Sequence, residues 1–233
     1  MHITSKDLKR FSKQIILRKV GLSGQQKIAS SKILIVGAGG LGCPLLLYLA
    51  NTGVGNIGIV DNDKIEESNL NRQILFMPKD IGKYKVIQAK KVIRSINKNI
   101  KISTYKKRLN KNNIKDILNK FDIVCDCSDN FETRYLINDH CLKYKKILIA
   151  AAVSRFDGHI FSFNFKRKTP CLRCFMPEIP NVENNCESEG IISTLAGIAG
   201  TIQANEVINN ILNKSTMKNK ILVFNSFTSD FRK

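Results

Sequence analysis

Long apolar runs are absent from this 233-residue sequence. No stretch approaches the roughly 18 consecutive apolar residues that a membrane-spanning helix needs. The charged start, Met1 to Arg10, is not followed by the apolar segment of a signal peptide. We therefore expect no membrane association and a cytoplasmic location.

The paired cysteines of a disulfide-stabilised secreted protein are also absent. The chain has seven cysteines, an odd number, and two of them lie together in Cys171-Leu-Arg-Cys174. Cysteines in this pattern are typical of reduced thiols and metal ligands in a reducing compartment. This agrees with a cytoplasmic protein.

Acidic residues are scarce: 19 Asp and Glu stand against 38 Lys and Arg, a formal net charge of +19. A clustered basic face would attract phosphate backbones. The lysines are spread along the whole chain, however, and no aromatic platform accompanies them, so nucleic acid is not expected as the principal partner. The charge does favour an acidic protein partner.

Short β-branched segments alternate with helical segments from Lys32 onward, which is typical of parallel βαβ units. The predicted strands are 33–36, 57–60, 102–105, 122–125 and 147–150. The helices predicted between them are 41–51, 83–96, 113–119 and 132–144. These elements predict an α/β fold with a Rossmann-like, doubly wound, mostly parallel sheet, and the length favours a single domain over 1–233.

Further elements are predicted before and after this parallel sheet. Apolar residues at helical spacing over 8–20 predict an N-terminal amphipathic helix, ended by Gly21 and Gly24, within a helical segment over 1–31. Period-two alternation over 159–165 predicts an antiparallel extension. Residues 166–190 hold three prolines and predict a long mobile loop. A helix over 193–212 and a strand over 221–224 follow.

A glycine-rich turn, Gly37-Ala-Gly-Gly-Leu-Gly42, follows the first predicted strand and opens a helix. Gly37, Gly39, Gly40 and Gly42 allow a tight turn, and the helix N-terminus offers free N–H groups to phosphates. Asp61 ends the next strand, where a carboxylate can accept hydrogen bonds from a ribose. This predicts an adenine nucleotide site, although a purely structural turn and a dinucleotide site remain alternatives.

Cationic and acidic residues after this turn favour a triphosphate over a dinucleotide. Asn69 and Arg72 lie in one polar segment, and Lys85 lies near the start of a helix. A departing pyrophosphate needs such donors beyond a helix dipole. Asp129 follows a strand and supplies a hard oxygen ligand for Mg²⁺. Together these residues predict ATP chemistry.

These ordered motifs resemble those of the ThiF/MoeB/HesA family, bacterial relatives of ubiquitin-activating enzymes. The resemblance covers the chain from about Lys9 to Lys233. Its motifs are Arg10-Phe-Ser-Lys-Gln-Ile-Ile-Leu17, Gly24-Gln-Gln, the turn over 37–42, Ser68-Asn-Leu-Asn-Arg-Gln73, Gly82-Lys-Tyr-Lys85, Asp126-Cys-Ser-Asp-Asn130, Pro170-Cys-Leu-Arg-Cys174, and Cys186 before Gly190.

The resemblance implies a ThiF-type adenylation domain that binds ATP and Mg²⁺ and acts as a homodimer. It would adenylate the C-terminal Gly-Gly carboxylate of a ubiquitin-like sulfur-carrier protein and release pyrophosphate. A persulfide donor would then attack the acyl-adenylate, in molybdopterin or thiamine thiazole biosynthesis. By position, Gly40 would line the ATP site, Asp61 would hold the ribose, Asn69, Arg72 and Lys85 would contact phosphates, and Asp129 would bind Mg²⁺.

The chain departs from the family at several positions. Lys13 stands where the family has an arginine that reaches the partner's phosphates, so the charge is kept and the bidentate fork is lost. Cys186 occupies the place of the cysteine that some members use covalently, but Glu187 and Glu189 do not favour its thiolate. Cys171 and Cys174 match half a zinc site, and the family's second pair is not found before Lys233.

Three other functions stay open from the residues. An NAD-dependent oxidoreductase uses the same turn, but Arg72, Lys85 and Asp129 disfavour it. A non-catalytic homologue is kept open by Lys13 and by the missing cysteine pair. A tRNA-modifying adenylating enzyme of the same superfamily has some support from the positive charge.

Overall fold

A single eight-stranded sheet organises the computed structural model, which describes residues 3–166, 169–179 and 190–233. The strands are β1 (Lys32–Val36), β2 (Asn56–Val60), β3 (Lys101–Tyr105), β4 (Ile123–Asp126), β5 (Ile147–Ser154), β6 (Asp157–Asn164), β7 (Ile221–Asn225) and β8 (Asp230–Arg232). Their order in the sheet is β3-β2-β1-β4-β5-β6-β7-β8. Strands β1 to β5 pair in parallel, and β6, β7 and β8 extend the sheet in antiparallel fashion.

Helices cover both faces of this sheet. They are α1 (Ser5–Arg10), α2 (Ser12–Ile15), α3 (Gly21–Ser30), α4 (Gly42–Thr52), α5 (Lys85–Ile96), α6 (Ile114–Leu118), α7 (Phe131–Lys143), α8 (Leu172–Phe175) and α9 (Ser193–Ile211). Buried residues of α3, α4, α5 and α9 share one apolar core, and those of α6, α7 and α8 share a second. The predicted doubly wound, Rossmann-like α/β fold with an antiparallel extension is therefore confirmed.

The continuous apolar character of the central strands follows from burial on both faces. In β1, Ile33 and Ile35 face the first core while Leu34 and Val36 face the second. Successive side chains of a strand point to opposite faces, so a strand between two helical layers needs apolar residues throughout. This explains why the short β-branched segments predicted β1, β2 and β4 within one residue, whereas β5 continues four residues past its predicted end at 150.

The single N-terminal helix predicted over 8–20 is wrong. Two short helices, α1 and α2, meet at Phe11, whose side chain is buried against Gly53. Gly21 opens α3, and Gly24 lies inside it, so neither glycine ends a helix there. Ile16 and Leu17 are 72% and 56% exposed, so part of the apolar face that predicted one helix is not buried within this chain.

The region after β6 contains structure that periodicity did not predict. The four-residue helix α8 lies inside the segment predicted as a loop over 166–190, and β8 adds a last edge strand. Both elements are too short for a periodic apolar pattern. None of the helices in the described ranges has the length and hydrophobicity needed to cross a membrane.

Two glycines of α9 should respond oppositely to alanine. A Cβ on Gly197 would meet nothing within 4 Å, whereas one on Gly200 would lie 2.3 Å from the Leu41 carbonyl oxygen. Gly197→Ala should stabilise the fold by about 0.5–1 kcal/mol because alanine favours helix. Gly200→Ala should destabilise it by about 1–3 kcal/mol because α9 must move off α4.

Denaturant titration of the two variants checks this prediction. Equal effects of the two substitutions would contradict the packing of α9 on α4.

Candidate nucleotide site

A cleft of about 480 Å³ opens at the carboxyl ends of β1, β2 and β4. The chain leaves β1 toward β2 and β3 on one side and later continues through β4 and β5 on the other. Open α/β sheets bind ligands at such a switch point. The predicted site residues that line the cleft are Gly37, Gly39, Gly40, Asp61, Arg72, Lys85 and Asp129.

Close backbone contacts require the glycines of the turn between β1 and α4. Gly37 has a φ of 96°, and a Cβ there would lie 2.6 Å from the Cys127 carbonyl oxygen. A Cβ on Gly42 would lie 2.1 Å from the Gly37 carbonyl oxygen. Gly42 is buried at the first position of α4 and does not line the cleft, so its role is to shape the turn.

Asp61 ties this turn to the end of β2. Its Oδ2 accepts a hydrogen bond from the Ala38 backbone N–H at 2.8 Å, and its Oδ1 accepts one from the Asp63 N–H at 2.8 Å. Burial raises the pKa of the Asp61 carboxyl, while the nearby Lys85 ammonium and the two backbone donors act in the opposite direction. The carboxylate therefore sits beside the glycine turn with both oxygens already oriented.

Two cationic side chains face the same cleft from different segments. Arg72 Nη1 donates to the Ser68 carbonyl oxygen at 2.9 Å and to Asn71 Oδ1 at 3.1 Å. Lys85, at the first position of α5, is 7% exposed, and its Nζ lies 2.9 Å from Asp63 Oδ2. The arrangement places positive charge in the same cleft as the glycine turn, as a polyphosphate needs.

Asn69 differs from the other predicted phosphate contacts. It lies outside the set of described residues that line the cleft, and it is 8% exposed. Its Oδ1 accepts from the Glu66 backbone N–H at 3.3 Å, so the amide caps its own short turn. The structure therefore gives Asn69 a role in shaping the segment that carries Arg72.

The loop after β4 is held rigidly. Asp126 is buried, and its Oδ1 accepts from the Ser128 N–H at 2.9 Å and from the Ser128 Oγ at 2.6 Å. Burial raises the pKa of Asp126, opposed by the Arg134 charge and by Ser128. From the other side, Gln203 Nε2 donates to the Asp126 carbonyl oxygen at 2.9 Å.

Asp129 is the residue that this loop presents to the cleft. Its carboxylate is exposed, and Oδ1 accepts from Asn130 Nδ2 at 3.2 Å. An accessible carboxylate in a cleft that also contains Arg72 and Lys85 fits Mg²⁺ carried by a nucleotide, because Mg²⁺ is usually held by one or two carboxylates plus phosphates.

Several cleft residues were missed from the sequence. Arg134 lines the cleft and donates to the Ser128 carbonyl at 2.6 Å and to the Ala151 carbonyl at 2.9 Å. Asp63 lines it beside Lys85. Arg108 lines it from the loop after β3 and makes an exposed ion pair with Glu132 at 3.1 Å. The chain has so many basic residues that charge alone does not single out Arg134. Its one distinguishing signal in the sequence is its position four residues after Asn130, which is the N-cap of α7.

The buried cysteines are unsuited to nucleophilic chemistry. Burial raises the pKa of Cys43 to about 12 and that of Cys127 well above its usual value. Only the thiolate attacks, so both thiols are inert in the folded protein. Cys186, the predicted covalent residue, lies outside the described residues.

Lys13 does not line the cleft of its own chain. It is exposed on α2, which is compatible with the prediction that it acts on a partner subunit.

Cys171 and Cys174 do form a pair, with their Sγ atoms 3.8 Å apart. A structural zinc ion needs four ligands, and among the described residues no group of three or more metal-binding side chains occurs. The described residues therefore do not fit a zinc site, and no step is assigned to zinc. Arg173, between the two cysteines, instead fixes α8 to α7 through Asp139 at 2.8 Å.

Comparison with known proteins identifies relatives along almost the whole chain. The ThiF family matches residues 11–233. The chain is 40% identical to an adenylyltransferase and sulfurtransferase MOCS3 from Culex quinquefasciatus, across 99% of this chain and 53% of that protein. It is 44% identical to a probable molybdopterin-synthase adenylyltransferase from Porphyra purpurea, across 96% of this chain and 59% of that protein. The chain thus spans little more than half the length of these curated relatives.

Solved structures show the same architecture. E. coli MccB with ATP has a TM-score of 0.81 and 26% identity, and the match covers 96% of this chain and 70% of that one. The microcin C7 biosynthetic enzyme MccB in complex with N-formylated MccA has a TM-score of 0.81 and 25% identity, and the match covers 99% of this chain and 73% of that one. The fold is therefore one in which a homologous chain has been crystallised with ATP.

Proposed function

This chain belongs to the ThiF family, and we propose that it is an ATP-dependent adenylyltransferase acting on a ubiquitin-like sulfur-carrier protein. One observation carries the proposal: a single cleft collects the glycine turn, Asp61, Arg72, Lys85 and Asp129. The names of the relatives, which are adenylyltransferases, agree with it.

The chemistry needs positioning and charge more than proton transfer. The carrier's C-terminal carboxylate, already ionised at neutral pH, attacks the α-phosphorus of ATP, and the bond to the leaving pyrophosphate breaks. No general base is required. Negative charge grows on the departing pyrophosphate, so Arg72 and Lys85 stabilise it, the guanidinium through paired donors and the ammonium as a point charge.

The remaining site residues bind and orient the nucleotide. The N–H groups of the turn over 37–42 face phosphate oxygens, and Asp61 accepts from the ribose hydroxyls. Asp129 would hold Mg²⁺, which neutralises phosphate charge when bound. Asn69 contributes by fixing the turn before Arg72.

The partners follow from the same proposal. The substrate is a carrier whose flexible tail ends in Gly-Gly, as the resemblance to the family implies. A persulfide donor would consume the acyl-adenylate. The relative from Porphyra purpurea supports a molybdopterin carrier over a thiazole carrier.

A homodimer is part of this proposal. Ile16 and Leu17 are among the most exposed apolar side chains described, and they lie beside Lys13. We propose that a second copy covers them, which would put Lys13 at the subunit interface.

Carrier-dependent exchange of labelled pyrophosphate into ATP tests the proposal. We expect exchange that requires a Gly-Gly carrier and Mg²⁺. A folded, ATP-binding protein that shows no exchange with any such carrier would overturn it. NAD turnover would indicate the oxidoreductase, and exchange stimulated by tRNA instead of a carrier would indicate the tRNA-modifying alternative.

A further inference from the structure

Asp63 makes the closest charged contact with a cation of the cleft. Its Oδ2 lies 2.9 Å from Lys85 Nζ, and the two side chains are 54% and 8% exposed respectively. The carboxylate thus reaches solvent, while the ammonium is almost fully enclosed. A buried charge is tolerated only when it is paired and hydrogen-bonded, so Lys85 depends on this contact.

The backbone around Asp63 fixes the contact independently of the side chains. The Lys85 N–H donates to the Asp63 carbonyl oxygen at 3.0 Å, and Lys64 forms an antiparallel bridge with Tyr84. The Ile65 N–H donates to the Lys83 carbonyl oxygen at 2.9 Å. The segment after β2 is therefore hydrogen-bonded to the start of α5, and these bonds keep Asp63 next to Lys85.

The same residue is also joined to the glycine turn. The Asp63 N–H donates to Asp61 Oδ1, and Asp61 Oδ2 accepts from Ala38 in the turn, both at 2.8 Å. A continuous chain of hydrogen bonds therefore runs from the phosphate-facing turn through Asp61 and Asp63 to the Lys85 ammonium. Such a network holds a cation at a fixed distance from the phosphates.

We propose that Asp63 is a positioning residue that holds the Lys85 ammonium toward the ATP phosphates and couples it to Asp61. The inference rests on the proposed adenylation, and it assigns to Asp63 no contact with the substrate. Because Asp63 is half exposed, it keeps Lys85 oriented without neutralising it as fully as a buried carboxylate would. The ammonium then stays available to the leaving pyrophosphate.

A double-mutant cycle in the exchange assay tests this role. Asp63→Asn keeps the shape of the side chain and removes its charge, Lys85→Met removes the ammonium, and the double variant joins both. Glu67→Gln is the matched control, because it removes an exposed carboxylate from the same loop outside the cleft lining. Asp63→Glu tests rescue by a carboxylate, and thermal unfolding of each variant reports folding.

We expect Asp63→Asn to lower kcat/KM for ATP at least about tenfold, mainly through kcat, and Asp63→Glu to recover part of it. In the Lys85→Met background, Asp63→Asn should change the rate by less than about twofold, since neighbours in one network are not additive. An equal effect of Asp63→Asn in both backgrounds, or a rate like that of Glu67→Gln, would overturn the inference.

Failure of the proposed function has a different outcome. In that case the wild-type protein shows no exchange. The affinity of the wild type, the two single variants and the double variant for Mg·ATP is then measured by calorimetry. Coupling between Asp63→Asn and Lys85→Met in binding would then support the positioning role, and additivity would refute it.

Discussion

Arg72→Ala should lower carrier-dependent pyrophosphate exchange about 10²- to 10³-fold. Removal of one preorganised donor from a site of developing charge has effects of that size. The guanidinium is held by the Ser68 carbonyl and the Asn71 side chain, so it is oriented before the nucleotide arrives. Most of the loss should appear in kcat, because the negative charge on pyrophosphate grows in the transition state.

Two further variants make this result specific. Arg72→Lys keeps the charge without the fork and should fall between alanine and wild type. Arg94→Ala, on the exposed side of α5, removes the same group outside the cleft lining and should leave exchange within about twofold. If Arg94→Ala and Arg72→Ala lose activity equally, the loss reflects total charge and the role of Arg72 is refuted.

Gly37→Ala should weaken ATP binding about a hundredfold or more. The new Cβ would lie 2.6 Å from the Cys127 carbonyl oxygen, and the residue must keep a φ of 96°. The loop of Cys127 and the turn of Gly37 contact each other and both line the cleft, so relief of the clash displaces both. A displacement of about 1 Å can lower a rate about a hundredfold, and we expect the loss of contacts to ATP to be of similar size.

Gly82→Ala separates backbone strain from this clash. Gly82 has a φ of 81°, but a Cβ there would meet nothing within 4 Å. We expect a loss of stability of about 1–2 kcal/mol with ATP binding retained. Calorimetric titration with Mg·ATP compares the two variants, and equal binding by Gly37→Ala and wild type would contradict the described turn.

Much of the site could be predicted because strand ends position it. The carboxyl ends of β1, β2 and β4 meet at one edge, so Gly37, Asp61 and Asp129 had to come together once these strands were identified. Arg72 and Lys85 were identified by their charge after Asp61. Residue type and order along the chain were sufficient to place these five positions in one cleft, and their roles stay predictions.

The roles of other residues could not be predicted from sequence patterns. Asp63 acts through a contact with Lys85, 22 positions later, which depends on how the loop after β2 folds back on α5. Asn69 matches a motif, but its amide is used within its own turn. The N-terminal helix was mispredicted because helical spacing over 8–20 cannot reveal the break at Phe11, which follows from packing against Gly53.

Intact-mass spectrometry of the carrier tests the central claim most directly. The carrier is incubated with this protein, ATP and Mg²⁺, without a sulfur donor. The account predicts a carrier that gains one adenylyl group, the mass of AMP less one water, at its C-terminal glycine, and no gain when that carboxylate is replaced by an amide. An unmodified carrier in the presence of folded, ATP-bound protein, or an equal gain by the amidated carrier, would contradict it.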